Sequence, residues 1–220
     1  MFLLVAATEE EMRPVRGLRA VYPDVDLLVS GVGPLETTLS LCRYLSQNRT
    51  PVSGVISFGV AGGYPAKGVG LLNLCLARKE VVGDLGVWTG SEIIDFAWLD
   101  SRALKEFELD SEFLRRGLDI LIKQGMSPVV GTFVSVSCVS GTALRGNWLR
   151  DRYDAICENM EGAAIARVCK SFALPCLELR AISNMVEDRD LGKWQLSGAI
   201  TQCAQAVEIL LTGLAGESLE

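Results

Sequence analysis

Short apolar runs alternate along the chain with longer stretches in which apolar residues recur every three or four positions. The short runs are nearly continuous in apolar side chains, which is typical of strands that are covered on both faces of a sheet. They predict strands at 2–7 (FLLVAA), 25–30 (VDLLVS), 52–60 (VSGVISFGV), 71–77 (LLNLCLA), 129–137 (VVGTFVSVS) and 176–183 (CLELRAIS). The helical spacing predicts helices at 35–47, 111–124, 161–172 and 196–214.

The order of these elements predicts the fold class. Strands that alternate with helices indicate an α/β domain with a mostly parallel or mixed sheet between layers of helices. No internal repeat, low-complexity tract or linker divides the 220 residues, so we expect a single domain over 1–220. Two stretches lack a clear period, 83–110 and 138–160, and are expected to be loops that help to build a site.

Composition and charge exclude several classes of partner. The formal net charge is −6 and no run of lysine or arginine is present, which argues against nucleic acid and anionic membranes. No apolar run reaches the ~18 residues of a membrane span, and the apolar start is too short for a signal peptide and lacks a basic region. Seven cysteines without a CxxC pair predict reduced, buried thiols. We therefore expect a cytoplasmic protein that binds neither nucleic acid nor membrane.

The absence of histidine restricts the chemistry that the chain can perform. Without histidine or clustered cysteines, a transition-metal site lacks its usual ligands, so we expect no metal and no cofactor. Proton transfer must be carried out by a carboxylate, a cysteine, a tyrosine or a lysine.

Unusual residues follow the predicted strands, at the sheet edge where α/β proteins bind ligands. The first strand leads into Thr8 and three glutamates that end at Glu11. Thr8 and Glu11 match a helix capping box, although Pro14 counts against that register, so Glu11 is either a cap or a ligand-facing carboxylate. The turns SGVG (30–33) and GVAGG (59–63) are either tight turns alone or places where backbone N–H groups meet a ligand.

Two further polar residues, Glu161 and Asn184, stand at the ends of apolar segments. Glu161 in ENMEGAAIARV opens a predicted helix, where the helix dipole alone would stabilise a carboxylate. The apolar residues just before it predict partial burial, and a buried carboxylate needs a partner such as a ligand hydroxyl. The last predicted strand ends in Ser183 and then Asn184, a neutral amide where acid–base chemistry would use aspartate.

Taken together, these segments resemble the nucleosidase branch of the purine nucleoside phosphorylase family. AATEEEM, SGVG, FGVAGG and ENMEGAAIARVCKSFALPCLELRAISN occur in the family's order over roughly residues 3–186, and the last block is the most specific. The resemblance implies a three-layer α/β/α fold with a mixed central sheet, usually assembled as a homodimer. It also implies that the partner is a small purine nucleoside whose N-glycosidic bond is cleaved.

The same resemblance implies roles for individual residues. Glu11 would activate water, and Glu161 would bind the ribose hydroxyls. The resemblance further implies that Met160 contacts the sugar and base, and that Val139 lies over the purine. It places the backbone of Val60, Ala61 and Gly62 on the anomeric side. Asn159 in ENMEGAAIARV and Ser183 in RAISN are the remaining implied substrate contacts. These roles suit the chemistry, because N-glycoside cleavage passes through an oxocarbenium-like state that a nearby carboxylate stabilises.

Asn184 predicts the leaving group. In adenine-cleaving members of the family, the residue after RAIS is an aspartate that donates a proton toward N7. An amide can instead accept from N7–H and donate to a 6-oxo group, so Asn184 favours hypoxanthine or guanine over adenine. The runs DLGVW (84–88) and NMVEDRD (184–190) also resemble a member that hydrolyses a 6-oxopurine nucleoside.

Three alternatives remain open from the sequence. An adenine-cleaving nucleosidase is opposed by Asn184. A phosphorylase would need cations arranged around phosphate, which the early arginines at 13, 16 and 19 do not provide convincingly. A non-catalytic nucleoside-binding or storage protein on the same fold is opposed by the presence of both Glu11 and Glu161.

Overall fold

The structure is a computed structural model that describes residues 1–94 and 104–216. Its strands are β1 (Phe2–Ala6), β2 (Val25–Val29), β3 (Gly54–Gly63), β4 (Leu74–Val82), β5 (Val87–Trp88), β6 (Ile93–Ile94), β7 (Glu106–Glu108), β8 (Val129–Ser135), β9 (Ala155–Asn159) and β10 (Cys176–Met185). Its α-helices are α1 (Glu9–Met12), α2 (Leu18–Val21), α3 (Pro34–Gln47), α4 (Glu112–Lys123), α5 (Ala143–Tyr153), α6 (Gly162–Ser171) and α7 (Leu196–Gly216), with 3₁₀ turns at Arg13–Val15 and Leu191–Lys193. Each strand and helix predicted from the sequence has a counterpart.

The central sheet is mixed, as predicted. Its strand order is β10-β4-β8-β9-β3-β1-β2, and β7 adds to β4. Strand β10 also pairs with β3, so β10, β4, β8, β9 and β3 close into a ring. The pairs β10–β4, β3–β9 and β4–β7 are antiparallel, and the other pairs of this sheet are parallel. The long strand β3 therefore pairs with β10 on one side and with β1 and then β9 on the other.

Helices cover both faces of the sheet, which confirms the three-layer α/β/α prediction. One core joins Leu4, Phe58 and Leu179 of the sheet to residues of α4 and α7 such as Leu121 and Leu210. A second core on the opposite face joins other strand residues to α3 and α6. Because each strand buries side chains on both faces, the apolar runs are continuous rather than alternating.

Helix α7 forms part of the first core. The segment Leu196–Ala215 is long and apolar enough to span a membrane by length and composition alone. Its residues Ala199, Val207 and Leu210 are completely buried against the sheet. Burial of this face accounts for its apolar composition, so α7 is a core helix.

The prediction of a loop over 138–160 is wrong, because this stretch contains α5 and β9. All five residues of β9 are buried, but two of them, Glu158 and Asn159, are polar and interrupt the apolar run. Internal hydrogen bonds satisfy both side chains. Helix α5 buries only Gly146 and Leu149, so it lacks the apolar stripe that would have revealed it.

The predicted loop over 83–110 is also partly wrong, since it contains β5, β6 and β7; residues 95–103 lie outside the described residues. Strand β4, predicted over 71–77, in fact runs from Leu74 to Val82 through the charged residues Arg78, Lys79 and Glu80. Pairing with β8 and β7 continues along this polar stretch. Backbone pairing therefore extends the strand beyond the point where its hydrophobic pattern ends.

Candidate active site

A cavity of about 340 Å³ lies at the carboxyl ends of β1, β3 and β10. It is lined by all the site residues predicted from the sequence, namely Glu11, Val60, Ala61, Gly62, Val139, Asn159, Met160, Glu161, Ser183 and Asn184. Further lining residues include Thr8, Glu10, Val32, Glu158, Arg189 and Trp194. The volume is within the range of small-molecule sites. The structure thus gathers residues from distant parts of the chain around one cavity.

Glu11 is both part of a helix cap and a lining residue of the cavity, so the two interpretations offered by the sequence are compatible. Thr8 and Glu11 form the complete capping box: the Thr8 N–H and hydroxyl donate to Glu11 Oε2 at 3.1 and 2.8 Å, and the Glu11 N–H donates to Thr8 Oγ1 at 3.3 Å. The Val60 N–H donates to Glu11 Oε1 at 3.0 Å. Pro14 does not disturb the cap because α1 ends at Met12 and a 3₁₀ turn follows. The carboxylate of this cavity residue is therefore held firmly, and one lone pair, on Oε1, remains without a protein donor.

Gly59 makes room for this carboxylate. A Cβ atom at this position would lie 2.4 Å from Glu11 Oε1 and 2.9 Å from Arg180 Nη1. Both contacts are closer than real Cβ atoms make, so any larger residue would displace Glu11 or Arg180. The site therefore requires glycine at position 59, the first glycine of the FGVAGG motif, because a side chain would not fit there.

Glu161 is buried at the start of α6 and is held by two groups. The Gly33 N–H donates to Glu161 Oε1 at 2.9 Å, and Gly33 has a φ of 86°, which glycine adopts without strain. Arg180 lies 3.7 Å from Glu161 Oε2. Burial raises the pKa of the Glu161 carboxyl, while Arg180 and the Gly33 N–H lower it. The cation and the amide thus favour the ionised carboxylate that a ribose contact requires.

Asn159 caps the helix that carries Glu161. Its Oδ1 accepts from the Glu161 and Gly162 N–H groups at 2.9 and 2.7 Å, and its Nδ2 donates to Glu80 Oε1 at 2.6 Å. Ser135 Oγ accepts from the Ala163 N–H at 2.7 Å. The side chain of Asn159 is therefore occupied by internal bonds, and its part at the cavity is to fix the backbone of the Met160–Glu161 segment.

A buried polar cluster lies beneath this helix start. Glu80 is fully buried, and Glu178 and Arg180 are each 1% exposed. Arg180 Nε donates to Glu178 Oε1 at 2.9 Å, and Ser135 donates to Glu80 Oε2 at 2.9 Å. Burial raises the pKa of the Glu80 carboxyl well above its usual range, and the adjacent Glu178 carboxylate raises it further. The Glu80 carboxyl therefore keeps its proton to a higher pH than an ordinary glutamate does.

The end of β10 contains a β-bulge that positions Asn184. Ile182 pairs with Ala61 and Asn184 pairs with Gly62, so Ser183 is the extra residue. Ser183 Oγ lies 3.0 Å from Asn184 Oδ1, and Asn184 Nδ2 donates to the Met185 carbonyl at 3.4 Å. One acceptor site and one N–H of the amide remain for a ligand.

Glu158 holds the turn that carries Val139. It accepts from the Ser140 N–H and hydroxyl, both at 2.7 Å, and from the Tyr64 hydroxyl at 3.0 Å. Asp84 accepts from the Ser137 N–H at 2.7 Å on the other side of this turn. Val139 is 38% exposed and lines the cavity. The turn is thus fixed at both ends.

Sequence reasoning did not identify Arg180 or the Glu80–Glu178 pair. Glu178 and Arg180 are two residues apart in β10, so they share a face of an otherwise apolar strand. Two opposite charges on one buried face are a signal that could have been found. Among the described residues, no group of three or more histidine, cysteine, aspartate or glutamate side chains could hold a metal ion.

The chain is similar to known proteins over most of its length. Residues 22–215 match the family model described as "Phosphorylase superfamily". Futalosine hydrolase of Thermus thermophilus is 34% identical over 202 residues, which cover 90% of this chain and 84% of that protein. Futalosine hydrolase of Streptomyces coelicolor is 32% identical over 90% of this chain and 83% of that protein. The fold matches the structure of futalosine hydrolase of Helicobacter pylori with a TM-score of 0.84, at 20% identity over 96% of this chain and 97% of that one.

Proposed function

The chain belongs to the phosphorylase superfamily and, within it, to the family of futalosine hydrolases, and from this premise we propose that it hydrolyses the N-glycosidic bond of futalosine. Futalosine is an inosine-type nucleoside whose 5′ end carries an aryl ketone with a carboxylate. The proposed reaction joins futalosine and water to give hypoxanthine and dehypoxanthine futalosine. The observation that carries the proposal is the amide of Asn184, which lies in one cavity with Glu11 and Glu161.

Glu11 is proposed to activate the attacking water. The capping box occupies both lone pairs of Oε2, whereas the Val60 N–H occupies one lone pair of Oε1 and leaves the other for a water. A water bound to this carboxylate would lie next to the backbone of Val60, Ala61 and Gly62, where we place the anomeric carbon. A glutamate base of this kind supplies general base catalysis without histidine.

Glu161 is proposed to accept hydrogen bonds from the ribose hydroxyls. Positive charge grows on the sugar ring as the glycosidic bond breaks, so the hydroxyls become stronger donors and their bonds to Glu161 strengthen. Arg180 and the Gly33 N–H favour the ionised carboxylate and so oppose the rise in its pKa that burial causes. Met160, the preceding residue, would pack on the sugar and base.

Asn184 is proposed to bind the 6-oxopurine. With the hydroxyl of Ser183 on Oδ1, the amide can still accept from N7–H and donate one N–H to the 6-oxo group. Val139 would cover the face of the purine. An adenine base offers a 6-amino donor instead, which conflicts with this donor, and a neutral amide cannot supply the proton that adenine needs at N7.

An assay of three nucleosides side by side tests the proposed function. Futalosine, inosine and methylthioadenosine are incubated with the protein, and release of the free base is measured. We expect the fastest release from futalosine and the slowest from methylthioadenosine. A preference for methylthioadenosine would assign the protein to the adenine-cleaving nucleosidases, and no base release from any of them would favour a nucleoside-binding protein without catalysis.

We also propose that the single domain acts as a cytoplasmic homodimer in menaquinone biosynthesis. Leu35 and Leu39 are one turn apart on α3 and are 83% and 53% exposed, and Val32 beside them is 55% exposed. Val32 lines the cavity, so a second copy packed on this apolar surface would also shield the site. Light scattering of the purified protein measures the assembly; a monomer at micromolar concentration would contradict this part.

A further inference from the structure

Acidic residues outnumber basic residues in the lining of the cavity. Among the described residues, the charged ones that face it are Glu10, Glu11, Glu158, Glu161 and Arg189. The proposed substrate carries a carboxylate of its own, which the glutamates would repel. Arg189 is the sole cation among these lining residues and thus the natural partner for a carboxylate.

Arg189 is also held in place. Its guanidinium carbon lies 4.8 Å from the centre of the Trp194 ring, a cation–π contact, and Trp194 lines the same cavity. The backbone N–H of Arg189 donates to the Gly141 carbonyl at 3.2 Å. The contacts on both sides fix the direction in which the side chain leaves the backbone.

The acidic neighbours of Arg189 have other partners. Asp188 Oδ1 accepts from the Ala143 N–H at 3.0 Å, and Asp190 Oδ1 accepts from the Gly192 N–H at 3.0 Å. Arg189 makes no ion pair with any of the described residues, and its side chain is exposed at the edge of the cavity. It therefore offers an unneutralised guanidinium next to an aromatic ring.

We propose that Arg189 and Trp194 form a subsite for the aryl carboxylate at the 5′ end of the substrate, with Arg189 binding the carboxylate and Trp194 contacting the aryl ring. The inference rests on the proposed function. It accounts for a preference for futalosine over inosine, which has the same base and sugar but no 5′ extension. Planar guanidinium and carboxylate groups can form two parallel hydrogen bonds, which makes the recognition specific.

A second arginine provides the rival site. Arg167 lines an adjoining cavity of about 240 Å³ that shares Met160 with the first. Its guanidinium already donates to Ser171 Oγ, four residues toward the end of α6 and away from Glu161. Arg189 needs no such rearrangement, so we assign the carboxylate to it.

The test compares futalosine with its methyl ester, which keeps the shape but removes the charge. In the wild type, kcat/KM for futalosine should exceed that for the ester by about 10- to 100-fold, the usual range for a charge-assisted hydrogen bond. In Arg189→Gln this ratio should fall to about one, and Arg189→Lys should give an intermediate ratio. Raising the ionic strength should lower the wild-type ratio, because the pair is partly exposed.

Two control variants sharpen the test. Arg167→Gln and Lys193→Gln each remove one positive charge nearby, and both should keep the wild-type ratio; Lys193 is already paired with Glu187. An unchanged ratio in Arg189→Gln would overturn the subsite, and a ratio of one in Arg167→Gln alone would move it to the adjoining cavity. If the wild type cleaves futalosine well, these outcomes concern the subsite only, whereas failure to cleave futalosine overturns both proposals.

Discussion

Replacement of Glu80 by glutamine should remove a pH dependence of stability while leaving the fold intact. Burial and the adjacent Glu178 raise the pKa of the Glu80 carboxyl well above its usual range, so the folded protein holds a proton here that the unfolded chain releases above about pH 4.3. The free energy of unfolding therefore falls as pH rises from that value toward the folded pKa. Between these two pKa values each pH unit lowers the free energy of unfolding by about 1.4 kcal/mol for one proton.

Glutamine has nearly the shape of a protonated glutamate and can replace Glu80 with little loss of hydrogen bonding. Its amide can donate to Glu178 and accept from the Asn159 side chain. Ser135, which loses an acceptor, already lies 3.2 Å from Asn159 Oδ1 and can donate there. Glu80→Ala, in contrast, would leave these partners unsatisfied around a new cavity and should cost at least about 2 kcal/mol.

The absence of histidine removes one other source of pH dependence from this measurement. Between pH 6 and 8 no imidazole titrates, and Glu161, whose pKa is also raised, contributes equally to wild type and variant. The groups that face Glu80 are Glu178, Asn159 and Ser135, with Arg180 beyond them, and all are retained in Glu80→Gln.

Urea unfolding at pH 6, 7 and 8 and one protomer concentration supplies the free energies. The wild-type curve should fall more steeply than that of Glu80→Gln by about 1.4 kcal/mol per pH unit until the folded pKa is reached. The surface variant Glu187→Gln should follow the wild type. Parallel curves for wild type and Glu80→Gln would refute the reasoning, since they would mean that Glu80 is ionised in the folded protein.

The remaining predictions concern the proposed catalytic residues. Glu11→Gln should lose turnover by about 10²–10⁴-fold and about 1 kcal/mol of stability through the capping box, as measured by base release and thermal unfolding; near-normal turnover would leave Glu11 with its cap role alone. Glu161→Gln should lower turnover more than it weakens binding of free hypoxanthine, and a 2′-deoxy substrate should be poor for the wild type but little worse for the variant; equal losses in both proteins would contradict the ribose contact. Asn184→Asp should reduce cleavage of 6-oxopurine nucleosides by about 10- to 100-fold and gain activity on methylthioadenosine, and a wild type that already prefers the adenine nucleoside would show that Asn184 does not select the base.

Much of the fold could be predicted because its signals are local. The strands are covered on both faces, so their apolar runs stand out, and the amphipathic helices α3, α4 and α6 repeat with helical spacing. Most of the site residues, in contrast, were expected from a resemblance to a known family. Short motifs such as MEGAAIA and RAISN carry the resemblance to the family that implied these residues, and the structure brings all of them to one cavity.

Sequence alone also determined that any acid–base chemistry depends on groups other than imidazole. Tertiary structure decided what surrounds those groups. Strand β9 escaped prediction because its stability comes from burial of Glu158 and Asn159 in hydrogen bonds to Tyr64, Ser140 and Glu80, and none of these partners can be inferred from the local pattern.

The environment of Glu161 shows most clearly that a local sequence pattern does not reveal the polar partners of a residue. Its partners Gly33 and Arg180 are 128 residues before it and 19 residues after it in the chain, and the Glu80–Glu178 pair beneath it joins β4 to β10. A hydrophobic pattern records which face of an element is buried, but it does not record which polar groups meet there. Such pairings arise only when the sheet closes, because hydrogen bonds and ion pairs depend on distances of a few ångströms between elements that are remote in sequence.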